Sequence, residues 1–265
     1  MTRVITLTTD FGSGDFGVGE MLGVIYSIAG EDVRIADLTH DIPRHNILDA
    51  AVILERHTPY FPPRSVHIAV IDPGVGTHRR PIAAKLGEQY FVGPDNGLFT
   101  LLLARCRRLG EPVQIVHTSN TAYWQPQVSA IFHGRDIFAP VAAHIACGVP
   151  LDSLGKPVDD PVLLDIPQPQ AVHGGWQGII TRVDHFGNLE SNIDGQLITG
   201  MPNPQVLIGG AVIHGLVQTF GEAKPGDLVA MIDSSGVLGV SLVNGSAAAR
   251  LNAGQGTPIS IRPTD

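Results

Sequence analysis

Cysteine is scarce in this chain of 265 residues: only Cys106 and Cys147 occur, with neither CxxC spacing nor a paired histidine cluster. That speaks against a disulfide framework and against a structural zinc site. Positive charge is scarce as well. Lys and Arg number 17 against 25 Asp and Glu, a formal charge of -8, so the basic stripe that neutralises a phosphate backbone is absent and nucleic acid is not an expected partner. Long apolar runs are missing too. No stretch approaches the ~20 residues that span a bilayer, and the opening MTRVITLTTDFGSGD lacks the h-region and small-residue cleavage site of a secretory signal. The expected protein is soluble and cytoplasmic, without membrane contact. What is present, 43% hydrophobic residues over this length, suffices for a large core, and two domains are expected.

From the start to about Pro167, β-branched runs alternate with stretches of helical periodicity, the pattern of a sheet covered by helices. The expected strands are Val4 to Thr8, Val33 to Asp37, Ser65 to Ile71, Ile82 to Lys85 and Tyr90 to Val92. The expected helices are Phe16 to Ala29, Ile47 to His57 with Asn46 as N-cap, Leu98 to Arg105, and Asp136 to Ala146. Residues 161–173 include DIPQPQAV and read as a linker. The domains are therefore expected at 1–165 and 173–265. Beyond the linker the helical period is lost, and short strands (Gly178 to Val183, Gln205 to Ile208, Ala211 to Ile213, Leu228 to Ile232, Val237 to Val243, Pro258 to Ile261) separated by turn residues point to a small barrel or sandwich.

Several polar clusters sit at strand ends. Thr9-Asp10-Phe11-Gly12 follows the first strand, where open α/β sheets bind ligands; Asp10 there can accept from a ribose diol or simply cap the next helix. The spacing is not GxGxxG, which disfavours a dinucleotide. Asp72-Pro73-Gly74-Val75-Gly76-Thr77-His78-Arg79-Arg80 forces a tight loop that presents Asp72 and Arg79 from a rigid frame, although Asp-Pro-Gly is also an ordinary turn. His133 in Phe132-His133-Gly134-Arg135-Asp136 precedes a helix whose positive dipole end favours neutral imidazole. Gly93-Pro94-Asp95-Asn96-Gly97 is a further turn of this kind. In the second region, Asp184-His185-Phe186-Gly187-Asn188 combines a carboxylate, an aromatic face that can stack on a base, and an amide that can read its edge. Asp233-Ser234-Ser235-Gly236 and Val243-Asn244-Gly245-Ser246-Ala247 are polar turns that barrels use routinely. No cluster has the spacing of a metal site.

The ordered segments TLTTDFG, VGEM, DLTHDI, VIDPGVGT-x-RR, GPDNGL, FHGRDIF, DHFGN and VNGSAA resemble the adenosine-forming S-adenosylmethionine hydrolases, also called SAM hydroxide adenosyltransferases, which share a scaffold with fluorinases and chlorinases. The resemblance covers nearly the whole chain. It implies an α/β protein with a Rossmann-like N-terminal α/β domain and a C-terminal β-barrel-like domain, assembled as a homotrimer with its site at the subunit interface. It implies hydrolysis of S-adenosyl-L-methionine to adenosine and L-methionine without cofactor or metal. Catalysis is then expected from Asp72, Arg79 and His133, ribose binding from Asp10, methionine binding from Asp184 with Ser234 nearby, and adenine binding around Phe186, Asn188 and the backbone near Val243, with Phe220 beside the base. Asp72 stands where the fluorinase carries a tyrosine, and a fixed anion there would repel halide while orienting water. The rival readings are a non-catalytic S-adenosylmethionine or adenosine sensor, a halogenase-like enzyme, and another nucleoside hydrolase such as an N-glycosidase.

Overall fold

The computed structural model describes residues 3–264, so Met1, Thr2 and Asp265, at the outer ends of the two expected domains, lie outside the described residues. The chain divides into two compact units, with the boundary between Leu164 and Asp165.

The first unit contains β1 (Arg3–Thr9), α1 (Phe16–Ala29), β2 (Val33–Thr39), α2 (Ile47–His57), β3 (Val66–Val70), β4 (Pro81–Leu86), β5 (Gln89–Pro94), α3 (Thr100–Leu109), β6 (Val113–His117), α4 (Ala139–Ala146), α5 (Leu151–Leu154) and β7 (Lys156–Pro157). The sheet order is β2-β1-β3-β5-β4-β6-β7. The β2, β1, β3 and β5 neighbours pair in parallel, and the β4 and β6 pairings are antiparallel. The period of two along each strand divides the core. Ile5, Leu7, Val66, Ile68, Ala83 and Val92 face one layer with α1 and α4, whereas Ala69, Ile71, Ile82, Ala84 and Phe91 face the other with α2 and α3.

Local chemistry explains the helix starts. Asp15 accepts the Gly17 N–H at 2.6 Å and opens α1, while Asn46 accepts the Asp49 N–H at 3.0 Å and opens α2 as expected. From β1 the chain crosses one face through α1 to β2 on one side, then returns across the other face through α2 to β3 on the other side. That reversal creates a switch point at the carboxyl ends of β1 and β3, where a crevice opens in folds of this kind. Asp10 directly follows β1 and Asp72 follows β3 by two residues.

The second unit contains β8 (Gln170–Val172), β9 (Gly175–Val183), β10 (Leu189–Asp194), β11 (Pro204–Ile208), β12 (Ala211–His214), β13 (Leu228–Ile232), β14 (Val237–Leu242), α6 (Ala247–Leu251) and β15 (Pro258–Pro263). Its antiparallel order is β12-β11-β15-β9-β10-β14-β13, with β8 on β9. The long β9 pairs with β15 through Trp176 to Ile179 and with β10 through Ile180 to Val183, so it turns the corner of the curled sheet. The two outer edges nearly meet: the Val217 N–H, just past β12, donates to the Ala230 carbonyl of β13 at 2.9 Å. Barrel-like closure follows, around Ile180, Leu189, Val206, Leu238, Val240 and Ile259.

Some local expectations shift. The third helix begins two residues later and runs to Leu109, where Gly110 adopts a left-handed conformation (φ 67°) as its C-cap. The expected Asp136 to Ala146 helix begins instead with a π turn at Gly134–Phe138 and becomes α-helical at Ala139. The linker is shorter than the Pro-rich stretch, because Val162 N–H donates to Asp95, Leu164 N–H donates to Thr100, and residues from Gln170 already form β8. Four strands fall outside the expected set: β6, the two- and three-residue β7 and β8, and β10, which alternates Leu189, Ser191 and Ile193 inward with polar Glu190, Asn192 and Asp194.

Candidate active site

The loop after β3 is built to deliver two charges. Asn96 donates through Nδ2 to the Ile71 carbonyl at 2.9 Å and braces the strand end. Gly74 lies so close to Arg79 that a Cβ there would sit 3.3 Å from its Cγ. Gly76 has φ 77°, and its missing Cβ would fall 2.4 Å from the Ala130 carbonyl oxygen, so this contact with the Gln125 to Ile131 loop requires glycine. The loop therefore places Asp72 and Arg79 together, with side chains only 5% and 8% exposed.

Arg79 Nε donates to both Asp72 carboxylate oxygens at 2.9 Å, and its Nη2 pairs with Asp72 Oδ2 as well. The same Nη2 lies 2.7 Å from His133 Nδ1. Arginine only donates, so Nδ1 is the acceptor and the neutral ring carries its proton on Nε2. Burial holds the His133 pKa below the usual histidine value, the Arg79 charge adds to that, and Asp72 and Asp136 oppose it. Burial and the Arg79 cation thus favour the same neutral ring that the helix dipole was expected to favour. Beneath the guanidinium lies the fully buried Phe138 ring, 5.1 Å from Cζ. Arg79 Nη1 is buried without a hydrogen-bond partner.

This arrangement changes the role expected of Asp72. Both of its oxygens are spent on Arg79, so it meets an incoming molecule as half of a neutral pair and not as an open anion. The donors that the cluster leaves unspent are Arg79 Nη1 and His133 Nε2–H, a set that favours an oxygen bearing negative charge.

Asp10 is not the cap of α1, a position Asp15 takes. Its Oδ2 accepts the His45 N–H at 2.8 Å across to the loop after β2. That loop is tied to the β1 end again by Gly12 N–H to the His40 carbonyl (2.8 Å) and by Thr9 Oγ1 with His40 Nδ1 (3.0 Å). Phe11, next to Asp10, meets Phe132, next to His133, edge to face at 5.9 Å. Asp10, Asp72, Arg79 and His133 thus share the switch-point end of the sheet. Among the described residues no group of His, Cys, Asp and Glu is arranged to hold a metal ion.

In the second unit the expected residues form local turns. Asp184 Oδ1 accepts the N–H groups of Phe186 (2.9 Å) and Asn188 (2.8 Å), and its Oδ2 accepts Asn188 Nδ2 at 2.7 Å. This is an Asx-type turn that spends the carboxylate and much of the amide. Phe186 is 74% exposed and Phe220 48%. Gly187 packs against Ser246, where a Cβ would lie 2.0 Å from its Oγ, and its carbonyl accepts the Ala248 N–H, so the Asp184 and Val243 segments adjoin. Val243 itself is buried with Val229 and Met231; its N–H donates to Asp227 and its carbonyl accepts from Gly226. Its backbone is thereby largely committed inside the barrel. Ser234 is exposed in a turn organised by Asp233, which accepts from Ser235 and Val237.

Residues 5–155 match the SAM hydroxide adenosyltransferase N-terminal domain and residues 178–260 its C-terminal domain. The chain belongs to this family. It is 39% identical to the (R)-S-adenosyl-L-methionine hydrolase of Salinispora arenicola, over 95% of this chain and 94% of that relative. It is 26% identical to a fluorinase of Actinoplanes sp., over 90% of each chain. A solved structure of a conserved Thermotoga maritima protein is 33% identical, with a TM-score of 0.89 over 97% of this chain and 99% of that one. The SAM hydroxide adenosyltransferase fold thus accounts for both units. Sequence reasoning passed over Phe138 and the Gly76 contact with Ala130; the first looks like an ordinary core position, and the second exists only across a tertiary contact.

Proposed function

We propose that this member of the family hydrolyses S-adenosyl-L-methionine, in the (R) sulfonium configuration named for its relatives, to adenosine and L-methionine. The observation that carries this reading is the cluster of Asp72 and Arg79, both with buried side chains, and half-buried His133, whose remaining donors, Arg79 Nη1 and His133 Nε2–H, suit a water or hydroxide oxygen. The sulfonium makes methionine a neutral leaving group that needs no acid. The demand falls on the nucleophile. Water has a pKa of ~15.7, so free hydroxide at pH 7 costs about 12 kcal/mol. Two fixed donors lower that cost by stabilising the charge that develops on oxygen, and holding it in line with ribose C5′ removes further entropy from the barrier. Hydroxide, formed by release of a proton to solvent, attacks C5′: the new C–O bond forms as the C–S bond breaks, and the C–S electron pair leaves with neutral methionine.

Asp72 acts through Arg79, fixing the guanidinium plane. Asp10 accepts from the ribose diol with the oxygen valences that His45 leaves open. Asp184 and Ser234 contact the methionine part, and Phe186, Asn188, Phe220 and the segment at Val243 surround adenine; support for these rests on the family resemblance and on the adjoining Asp184 and Val243 turns. The enzyme works as a cytoplasmic homotrimer and needs neither cofactor nor metal.

Incubation with the (R) and (S) epimers and separation of the products tests the proposal. Adenosine plus methionine supports it. Free adenine would indicate an N-glycosidase, tight binding without turnover a sensor, and a 5′-halogenated adenosine in halide buffer a halogenase; each would overturn it. Sedimentation of the native protein checks the trimer.

A further inference from the structure

We propose that Glu20, Arg135 and Asp136 form the positioning device of the candidate site, with Asp136 holding the loops that carry His133 and Arg79 in register. The inference rests on the function proposed above and adds residues to which that function assigned no part.

Asp136 is a buried carboxylate at the π turn that follows His133. It accepts from Arg135 through Nε at 2.7 Å and Nη2 at 3.1 Å, and from the Ser129 N–H at 2.8 Å. Its backbone carbonyl accepts the Gln125 N–H at 2.9 Å. One residue therefore fastens both ends of the segment from Gln125 to Ser129. Ala130, immediately beyond, is the residue against which Gly76 is pressed, and Gly76 belongs to the loop that presents Arg79. Arg135 completes the device. Its Nη1 donates to Glu20 on α1 at 2.7 Å, and its guanidinium lies 5.0 Å from the centre of the Phe132 ring, which meets Phe11 beside Asp10. The set joins α1, the His133 turn and the Gln125 to Ile131 loop.

A half-buried ion pair of this kind is weak evidence for stability, because desolvation of Asp136 offsets its Coulomb energy. What it does supply is direction: bidentate geometry on Asp136 fixes the turn in one orientation. π turns inside helices recur at functional sites, and here the turn sets both His133 and, at its far end, Phe138 beneath Arg79. The charged groups that face the His133 ring are Arg79 and Asp72, from the loop after β3, and Asp136 from its own turn.

The test uses Asp136→Asn and Glu20→Gln in the full chain, with kcat and KM for S-adenosylmethionine and an NMR titration of His133, its signal assigned by loss in His133→Gln. The amide introduced by Asp136→Asn would keep an acceptor for Ser129 while turning a donor toward Arg135. Asp136→Asn is expected to lower kcat about 30-fold while KM changes less than about threefold, since misplacement of catalytic groups chiefly affects the transition state. Glu20→Gln, nearer solvent, is expected to lower kcat about threefold. In Asp136→Asn the His133 titration moves to lower pH, because a carboxylate that favours the imidazolium is gone. Parent-like kcat together with an unmoved His133 titration in Asp136→Asn would overturn the inference. If that variant does not fold, parent-like values of both readouts in Glu20→Gln overturn it. If the parent itself fails to turn over S-adenosylmethionine, the function proposed above is what fails, and the His133 titration still decides whether Asp136 governs that ring.

Discussion

The two units use polar side chains in opposite ways. In the first, functional candidates are held by partners distant in sequence: Arg79 with His133, Asp10 with His45, Arg135 with Glu20. In the second, apart from the cross-strand pair of Arg182 with Glu190, the turn carboxylates serve residues two to four places away, as Asp184 does for Phe186 and Asn188, Asp194 for Gln196, and Asp233 for Ser235 and Val237. A parallel sheet with crossing helices brings remote loops to one end, and charges brought together there must satisfy one another. An antiparallel barrel needs many tight turns, and Asx turns satisfy each of them within a few residues. The first unit is therefore the place where one substitution disturbs chemistry and stability together, whereas the second presents preformed loops that absorb change.

Arg79→Ala should break this contrast most visibly. It leaves the buried Asp72 carboxylate without its partner, so the unfolding free energy should fall by roughly 3 kcal/mol in denaturant titration, and adenosine release should drop about a thousandfold. Retained turnover would remove Arg79 from the proposed mechanism.

Acid should act through the first unit next. His67 lies between Phe61 and Phe91, bonded to Thr6 Oγ1 at 2.7 Å, and burial pushes its pKa down to about 3. The unfolded chain takes up a proton below about pH 6.5 and the folded chain does not until about 3, so stability is lost as pH falls through that window. The loss is on the order of 5 kcal/mol. Unfolding measured across that range should show a shallower pH dependence in His67→Phe than in the parent. His133 adds the same sign in activity: its neutral form accepts from Arg79, so kcat/KM should be flat near neutrality and fall only below the ordinary histidine pKa.

Gly76→Ala places a methyl group against the Ala130 carbonyl in a backbone conformation with φ 77°. We expect roughly 2 kcal/mol of destabilisation and about a tenfold fall in kcat, both readable from thermal unfolding and initial rates. The same kind of substitution at Gly236, φ 82° with open space around its Cα, should lose stability from the backbone alone and leave kcat unchanged.

The barrel turns should respond least. Asp184→Ala removes three hydrogen bonds that shape one turn. A loss of about 1 kcal/mol is expected, with KM raised about tenfold and kcat retained. Ser234→Ala, in an exposed turn, should leave stability within about 0.5 kcal/mol and raise KM no more than about threefold. A large kcat effect at either position would erase the distinction drawn between the two units.

Much of the fold was legible before any tertiary contact was known. The helical periodicity placed α1 at Phe16–Ala29, Asn46 marked the start of α2, and turn residues spaced the barrel strands. These are local properties, written in consecutive side chains. Of the strands that escaped notice, β10 is polar on one face and β7 and β8 are only two and three residues long, and the π turn at Gly134–Phe138 escaped because its residues differ little from those of an ordinary first helical turn. The candidate residues were legible as types and motifs, yet their division of labour was not. Asp72, read as an open anion, is neutralised by Arg79; Asp184 and Val243, read as ligand contacts, have most of their polar atoms engaged within the chain.

The order of elements, the loops at strand ends and the polar residues within them follow from the sequence by itself, because periodicity, capping and turn chemistry act over a few residues. Which donor meets which acceptor was decided only by the tertiary structure. Arg79 and His133 are 54 positions apart and 2.7 Å distant, and the tautomer of His133, the charge state that Asp72 presents and the two donors left unspent all depend on that closure. Burial then makes it consequential, since a charge removed from water is stable only where its partners have already been placed.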